Sequence, residues 1–478
     1  MSDILIKNAT ILKQAGQINT KQSILIHNGH IQQVGAFPCP IKFTGEIVDG
    51  ADRLYLPGLI DSHLHTGQQL LRGRVLDAKP VIWTRIMLPF ESQLTASQMK
   101  LSAELAALEM ITGGTTGFVE AGSYHMESAV EVYARSGLRG ALTASTMDDP
   151  QLPASIKMSA REAVAQTTQL YQQFHHQGRL QVYYSLRALT ACSDELIDLT
   201  AEAAQTHHTF LTAHMNEYPT EILNIIQRTG LRPYEWLAKR HLLSNHFLGA
   251  HSLFLSNHEK ELIKKYRVKL CHCPFSNAGK GIPVTPELLQ NQIPVGLGTD
   301  GAAHGGLSLW NEIKIFRSLM VATHGLRLRQ PNVMPAAQIF RMLLEGGAAH
   351  GGLSLWNEIK IFRSLMVATH GLRLRQPNVM PAAQIFRMLL EGGAAALNHA
   401  GQLGKIQPGY KADLIAIDLN QPHLYPSGNW QNILLECVSA NDVTDTMVDG
   451  QFLMRNRQVL TLDQERIIAE ARNYACHH

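Results

Sequence analysis

The sequence predicts an α/β protein in which βα units form a parallel barrel at its centre. Short apolar segments at 181–184, 210–212 and 268–270 have the composition of buried strands, and they alternate with helical patterns such as Asn257 to Tyr266. Several strands end in a histidine or an aspartate. Because the carboxyl ends of the strands of a parallel barrel form one rim, we expect these polar residues to meet there.

Both ends of the chain predict short antiparallel strands instead. Apolar and polar residues alternate in segments 4–6, 23–26, 30–34, 412–417 and 446–451. The dipeptides Asn28-Gly29 and Asp49-Gly50 are turn signals, because these residues tolerate the backbone angles of tight turns. Alternation of this kind is typical of strands with one buried face.

Composition limits the class of protein. The 478 residues are 45% hydrophobic, which is enough apolar material for a barrel core and a smaller second domain. The formal net charge is only +3, so we expect neither nucleic acid nor a membrane as a partner. The chain has no signal-peptide pattern and no apolar run of about 18 residues. We therefore expect a cytoplasmic protein whose six cysteines are reduced.

The run from Leu56 to His65 predicts a metal-binding strand, because it is apolar and ends in His-x-His. Side chains alternate between the two faces of a strand, so His63 and His65 point the same way and their imidazoles converge. Among 23 histidines such a pair also arises by chance on a surface. The other strand ends therefore decide between these interpretations.

Three further strand ends carry ligand-type residues. His214 follows an apolar segment and is itself followed by Glu217, His251 ends the segment that starts at Phe247, and Asp300 follows Val295 to Thr299. Each one taken alone is better explained as a buried, hydrogen-bonded histidine or a capping aspartate. Together they favour one metal site on the rim of a barrel.

Seven segments carry a resemblance to a known family. They are Pro57 to His65, Leu70 to Gly73, Gly113 to Thr116, His214 to Glu217, His272 to Asn277, Gly298 to Gly301 and Gly409 to Leu414. In this order they resemble the amidohydrolase superfamily. The similarity is to its heteroaromatic aminohydrolase branch, which includes methylthioadenosine/S-adenosylhomocysteine deaminases, guanine deaminase and triazine hydrolases.

The resemblance implies a fold and its domain boundaries. It implies a distorted (β/α)8 TIM barrel over residues 59–404. The flanking segments 1–58 and 405–478 would form the two parts of one small β-sandwich.

The resemblance also implies the reaction. His63, His65, His214 and Asp300 would bind one divalent metal, zinc or alternatively iron, with a position left for water. Glu217, placed one helical step beyond His214, would carry the proton of the attacking water to a ring nitrogen of the substrate. His251 would orient the attacking oxygen, and Asp300 would later help to protonate the departing amine. Glu217 as a surface carboxylate at a helix start is the alternative.

Three residues are candidates for substrate binding by the same resemblance. Gln68 matches a ring-contacting glutamine of guanine deaminase, although an ordinary loop glutamine is an equal alternative. Glu91 matches the carboxylate that holds ribose hydroxyls, with a solvated helix cap as the alternative. Arg187 stands where nucleoside deaminases carry a histidine and guanine deaminase carries an arginine. Ala144 stands where an arginine for the homocysteine carboxylate is expected, which disfavours S-adenosylhomocysteine.

We therefore expect a metal-dependent hydrolase, a cyclic amidine aminohydrolase, that removes an exocyclic amine from a purine-like or related heterocycle by attack of metal-activated hydroxide. We expect this small molecule as its partner. The sequence does not decide between a monomer and a homodimer. Two alternatives remain: a triazine-type chloro- or aminohydrolase, and a catalytically impaired metal-binding relative.

One feature departs from the family pattern. Residues 301–349 recur without a change as residues 347–395, an offset of 46 residues. Solenoid proteins stack about three or more degenerate units, so one perfect doubling inside a barrel does not indicate a repeat protein. Asp300 precedes the first copy and Gly346 precedes the second, so only the first copy follows a ligand residue.

We predict that the extra copy is dispensable. The pattern from Leu307 to Val321 is amphipathic and needs one barrel face to cover it, so a second identical helix would expose apolar surface and promote association. A chain lacking residues 301–346 should be at least as soluble, as thermally stable and as active as the parent. Size-exclusion chromatography, thermal unfolding and turnover check this. Loss of activity with the metal still bound would make the second copy a functional lid.

Overall fold

The computed structural model describes residues 3–12, 18–40, 42–75, 82–320, 323–324, 387–425, 430, 433–434 and 437–477. Contacts divide the chain into two compact units. One contains residues 1–61, 108–117 and 308–463, and the other contains residues 62–107, 118–307 and 464–478. No helix within the described ranges is long and apolar enough to cross a membrane.

The strands of the described residues are numbered in chain order. They are β1 (Ile4–Leu12), β2 (Ile18–His27), β3 (His30–Gly35), β4 (Glu46–Asp49), β5 (Arg53–Pro57), β6 (Leu59–His65), β7 (Thr115–Glu120), β8 (Arg139–Leu142), β9 (Leu180–Val182), β10 (Tyr184–Leu186), β11 (Leu211–Met215), β12 (Phe247–His251), β13 (Lys269–His272), β14 (Val295–Leu297), β15 (Asp300–Gly301), β16 (Leu414–Asp418), β17 (Val443–Val448), β18 (Gln451–Arg455) and β19 (Gln458–Val459).

The α-helices of the same residues are numbered likewise. They are α1 (Leu88–Glu91), α2 (Ala96–Thr112), α3 (Met126–Ser136), α4 (Ala160–Phe174), α5 (Asp194–Thr206), α6 (Pro219–Thr229), α7 (Pro233–Lys239), α8 (Asn257–Tyr266), α9 (Pro274–Ala278), α10 (Thr285–Gln290), α11 (Ala302–Gly305), α12 (Leu309–Met320), α13 (Gly393–Ala396) and α14 (Gln464–His477). The 3-10 turns lie at Thr66–Leu71, Ala154–Ile156, Leu189–Ala191, Pro422–Leu424 and Ala440–Asp442, and π-helical turns lie at Trp83–Met87 and Met388–Gly392.

Strands from both ends of the chain share one mixed sheet in the first unit. Among the described residues it has nine strands, in the order β19-β18-β17-β16-β5-β1-β2-β3, with β4 paired to β1. The amino-terminal and carboxy-terminal strands join where β5 pairs antiparallel with β16. One face buries a cluster that includes Ile6, Ile24, Tyr55 and Leu414. Strands form at both ends, as predicted, but β1 pairs in parallel with β4 and β5, and a turn at residues 449–450 divides the predicted segment 446–451.

Parallel strands form two further sheets of the described residues, in the orders β15-β6-β7-β8-β9 and β10-β11-β12-β13-β14. Only Tyr183 separates β9 from β10. Its amide donates to Leu142 of β8, whereas the amide of Tyr184 donates to Phe210 just before β11. The chain therefore leaves one sheet and enters the other within a single extended stretch. Residues 298–299 separate β14 from β15 in a similar way.

Helix α8 illustrates why the predicted helices form. Its bounds are those that the sequence pattern predicts, from Asn257 to Tyr266. Ser256 accepts a hydrogen bond from the amide of Glu259, and the Glu259 carboxylate accepts from the amide of Ser256. This capping box satisfies amides that the first helical turn leaves unpaired. Ile263 supplies the buried face.

The described residues contain only part of the duplication. Helices α11 and α12 belong to the first copy, and residues 387–395 belong to the second. The amphipathic pattern of the first copy forms α12, which buries Ile313, Phe316 and Met320. The prediction that a second identical helix would expose apolar surface concerns residues that lie mostly outside the described ranges.

The run from Leu56 to His65 is not one strand, as the sequence suggested, because Gly58 interrupts it. Strand β5 ends at Pro57 and β6 begins at Leu59. The Gly58 amide donates to the Asp413 carbonyl oxygen at 2.9 Å, next to the last β5–β16 pair, Pro57 with Leu414. A β-carbon at position 58 would lie 2.1 Å from the Thr116 hydroxyl oxygen, so only glycine fits there.

We predict that Gly58→Ala destabilises the protein by about 1–3 kcal/mol, the usual cost of forcing extra atoms into a packed site. Gly279→Ala is the matched control, because its β-carbon would meet no atom within 4 Å and its φ is −84°. Thermal or denaturant unfolding of both variants checks the expectation. Equal stability of the two would show that the contact with Thr116 yields without strain.

Candidate metal centre and active site

Three imidazoles and one carboxylate meet at the carboxyl ends of the parallel strands. His63 and His65 come from β6, His214 from β11 and Asp300 from β15. Their potential ligand atoms all lie within 4.8 Å of one another. The His63 and His65 rings project to the same side of β6, with ring centroids 5.1 Å apart, as strand alternation requires.

The cluster is compact and largely buried. The Asp300 Oδ1 atom lies 3.2 Å from His65 Nε2 and 3.7 Å from His63 Nε2. The Nε2 atoms of His65 and His214 are 3.2 Å apart, so two ring nitrogens face each other. His63, His65 and Asp300 are at most 6% exposed, and His214 is only partly buried.

The protonation states fit a metal ion. Burial lowers the pKa of His65 and the pKa of His214 well below the ordinary histidine value, so both imidazoles are neutral. Burial raises the pKa of Asp300, but hydrogen bonds with His63 and His65 outweigh it and hold the pKa well below its ordinary value. Neutral imidazoles with an ionised carboxylate are a donor set for zinc or iron.

A second cluster shares Asp300 and adds Glu217 and His251. The Nε2 atom of His251 lies 3.7 Å from Glu217 Oε1. On its other side, the Nδ1 atom of His251 lies 2.8 Å from Asn277 Oδ1, which fixes the orientation of the ring. Burial raises the pKa of Glu217, but the charges of His251 and Lys280 outweigh it and lower the pKa below the usual glutamate value.

Glu217 is not one helical step beyond His214, which corrects the sequence expectation. It lies in the bend between β11 and α6, because Asn216 adopts a left-handed φ of 48° and α6 begins only at Pro219. The Glu221 carboxylate accepts hydrogen bonds from the amides of Asn216 and Glu217, at 2.9 and 2.8 Å. This turn aims the Glu217 side chain at the site.

Left-handed backbone recurs at the strand ends of the site. His251 has a φ of 66° and Asp300 a φ of 61°, in addition to Asn216. Such conformations cost about 1–3 kcal/mol for residues other than glycine and are retained where the surroundings impose them. The surrounding contacts therefore hold Asn216, His251 and Asp300 in these backbone conformations.

The three candidate substrate residues form one buried network. Arg187 Nη2 lies 3.0 Å from both Glu91 carboxylate oxygens, and Gln68 Nε2 donates to Glu91 Oε1 at 2.5 Å. Arg187 also donates to the carbonyl oxygen of Gly122. Glu91 is 2% exposed, so it is not a solvated cap, and Gln68 is equally buried. The charge on Glu91 raises the pKa of Arg187 although burial opposes it.

A cavity of about 230 Å³ connects these groups. Its wall includes His65, His214, Glu217 and Asp300 on the metal side and Gln68 and Arg187 on another side. Trp83, Met87 and Tyr218 supply apolar and aromatic surface. A flat ring with polar edges suits such a lining.

Lys280 lines the site, although the sequence predictions did not include it. Its Nζ lies 2.5 Å from Glu217 Oε1, and its side chain lines the cavity. The only signal in the sequence is its position shortly after the carboxyl end of a predicted strand.

Known proteins identify the family. The model of the family described as "Amidohydrolase family" matches residues 54–453. The chain belongs to the amidohydrolase family. As an amidohydrolase it is a hydrolytic enzyme that acts on carbon–nitrogen bonds, which confirms the predicted family and enzyme class.

The relatives of this amidohydrolase extend over its whole length. A 5'-deoxyadenosine deaminase of Methanosarcina mazei is 29% identical, with 99% of this chain and 98% of that protein covered. A 5-methylthioadenosine/S-adenosylhomocysteine deaminase of Dictyoglomus turgidum is 26% identical, with 99% and 98% covered. The structure of an adenosine deaminase from Xanthomonas campestris with bound zinc has a TM-score of 0.82 at 21% identity, with 100% and 98% covered. This likeness indicates a TIM-barrel-like α/β fold.

Proposed function

We propose that this amidohydrolase uses one divalent metal ion to deaminate a purine-like heterocycle. One observation carries the proposal: three donors of the four-residue cluster, His65, His214 and Asp300, line the same cavity as Glu217. The named deaminases among the relatives support the same reaction class. Zinc is our first choice for the ion, because the donor set suits it and the Xanthomonas campestris structure holds zinc; iron is the alternative.

The proposal includes a closed barrel. The strand stretches β9–β10 and β14–β15 each belong to both parallel sheets, which supports a distorted (β/α)8 barrel of eight extended stretches. We assign residues 59–404 to it. We assign residues 1–58 and 405–478 to a β-sandwich, which the pairing of β5 with β16 supports.

The buried cluster supplies the ligands, and the neighbouring residues move the protons. When bound, the ion lowers the pKa of a ligated water towards neutrality. Glu217 takes a proton from the attacking water and passes it to a ring nitrogen of the substrate. Its position in the cavity wall, 3.7 Å from His251 Nε2, supports this role.

His251 and Asp300 complete the proton transfers. The Nε2 atom of His251 orients the attacking oxygen, because Asn277 fixes the opposite nitrogen of the ring. After water adds to the ring carbon, Asp300 takes the remaining proton of the added hydroxyl and passes it to the exocyclic amine. The carbon–nitrogen bond then breaks, ammonia leaves and a ring carbonyl remains. The buried surroundings keep bulk water from competing for these protons.

The network of Gln68, Glu91 and Arg187 is our candidate for ring and sugar recognition. Arg187 offers only donors, so its unused N–H groups suit an acceptor such as a ring carbonyl. Glu91 already accepts from both neighbours, and its carboxylate suits a hydroxyl donor. Ala144 is buried and leaves S-adenosylhomocysteine disfavoured. No contact among the described residues favours a triazine ring over a purine.

Ammonia release over purines, nucleosides, pterins and pyrimidines tests the proposal. At least one purine-like compound should release ammonia, and Glu217→Gln should lower kcat by about 10²-fold or more, as the loss of a general acid–base group does. Glu235→Gln is the matched control, because this carboxylate contacts His258 away from the site and should leave kcat unchanged. Glu217→Gln with more than half of the parental rate and its metal retained would remove Glu217 from the mechanism.

A further inference from the structure

A short segment after β13 contacts the groups that are proposed to transfer protons. The Ser276 hydroxyl donates to Asp300 Oδ2 at 2.5 Å, and Asn277 Oδ1 lies 2.8 Å from His251 Nδ1. Both residues belong to α9, whose first turn is closed by the bond from the Asn277 amide to the Cys273 carbonyl oxygen. The third contact, to Glu217, comes from Lys280.

Lys280 is held by several groups at once. Its Nζ lies 2.5 Å from Glu217 Oε1, 2.6 Å from Ser276 Oγ and 3.9 Å from Asp300 Oδ2. The Tyr218 ring lies below it, with its centroid 5.5 Å from Nζ. The amide of Lys280 donates to the carbonyl oxygen of Asn277, which ties the backbone to α9.

These contacts distinguish Lys280 from a surface ion pair and from a substrate-binding cation. Its side chain is 11% exposed and that of Glu217 is 17% exposed, so water screens the pair little. An ammonium group has three donors, and acceptors inside the site already surround this one. Little donor capacity is left for an anionic group of a substrate.

Glu217 needs such a support because its backbone contacts direct the side chain towards the site but do not fix the carboxylate. It lies in a bend rather than in a helix or strand, and the hydrogen bonds of its amide to Glu221 fix the main chain only. The Lys280 ammonium group contacts the Oε1 atom of Glu217. No donor among the described residues contacts Oε2, which leaves that oxygen for the attacking water.

We propose that Lys280 is a positioning residue that fixes the Glu217 carboxylate for proton transfer. The inference rests on the proposed function, because it assigns to Lys280 a role through Glu217. It predicts that loss of the ammonium group slows the chemical step and leaves substrate binding nearly unchanged.

A double-mutant cycle tests the coupling. Lys280→Met should lower kcat by about 10- to 100-fold, since a misplacement of about 1 Å can cost about 10²-fold, while KM changes less than about 3-fold. In the Glu217→Gln background the same change should lower kcat by less than about 2-fold, because residues that act as a unit are not additive. An equal loss in both backgrounds would overturn the proposal, as would a rise in KM with kcat unchanged.

Lys260→Met is the matched control. Lys260 Nζ also lies 2.5 Å from a carboxylate oxygen, that of Glu287, but this pair joins α8 and α10 away from the cavity. This variant should keep the parental kcat. If both lysine variants lower kcat alike, the effect of Lys280→Met comes from the loss of an ion pair in general and not from the position of Glu217.

Crystal structures of zinc-loaded parent and Lys280→Met, with Lys280→Gln as the second variant, test the proposal without turnover. The zinc should remain, and the Glu217 carboxylate should leave its parental position or become disordered. An unchanged Glu217 in both variants would overturn the role of Lys280. A parent that releases no ammonia from any compound would instead contradict the proposed function, and the structures would still decide on Lys280.

Discussion

Asp300 divides its two carboxylate oxygens between two sets of partners. Oδ1 faces the imidazoles of His63 and His65, and Oδ2 accepts from Ser276 and lies near Lys280. The residue occupies the short strand β15, which pairs with β6 next to His65. The proposed metal ligands and the proposed proton-transfer groups therefore share Asp300, and a shift of β15 would disturb both. The left-handed backbone conformation of Asp300 costs free energy, and it fits a residue that several partners hold in place.

Two further buried carboxylates in the site are each paired with a cation. Glu91 meets Arg187, and Glu217 meets Lys280, with each partner less than one fifth exposed. Burying one charge alone would cost several kcal/mol, so removal of a single partner is expected to disturb more than one contact. This coupling makes double variants more informative than single ones at these positions.

The sequence predicts those parts of the site that depend on local pattern. His-x-His at a strand end specifies two imidazoles on one face, and the capping residues and apolar spacing of α8 specify its bounds. The pairs Arg187–Glu91 and Lys280–Glu217 join residues 96 and 63 positions apart, so no local period encodes them. The break at Gly58 also depends on a distant contact, with Thr116. The bend at Glu217 involves the nearby Glu221, but the sequence suggested a helical stretch there.

The central claim is that the four-donor cluster holds one catalytic metal ion. Anomalous X-ray diffraction at the zinc and iron absorption edges of crystals of the purified protein tests it directly. We expect one peak at one of these edges, surrounded by His63, His65, His214 and Asp300. A peak at another place, or crystals of an active enzyme without any peak at this cluster, would contradict the account.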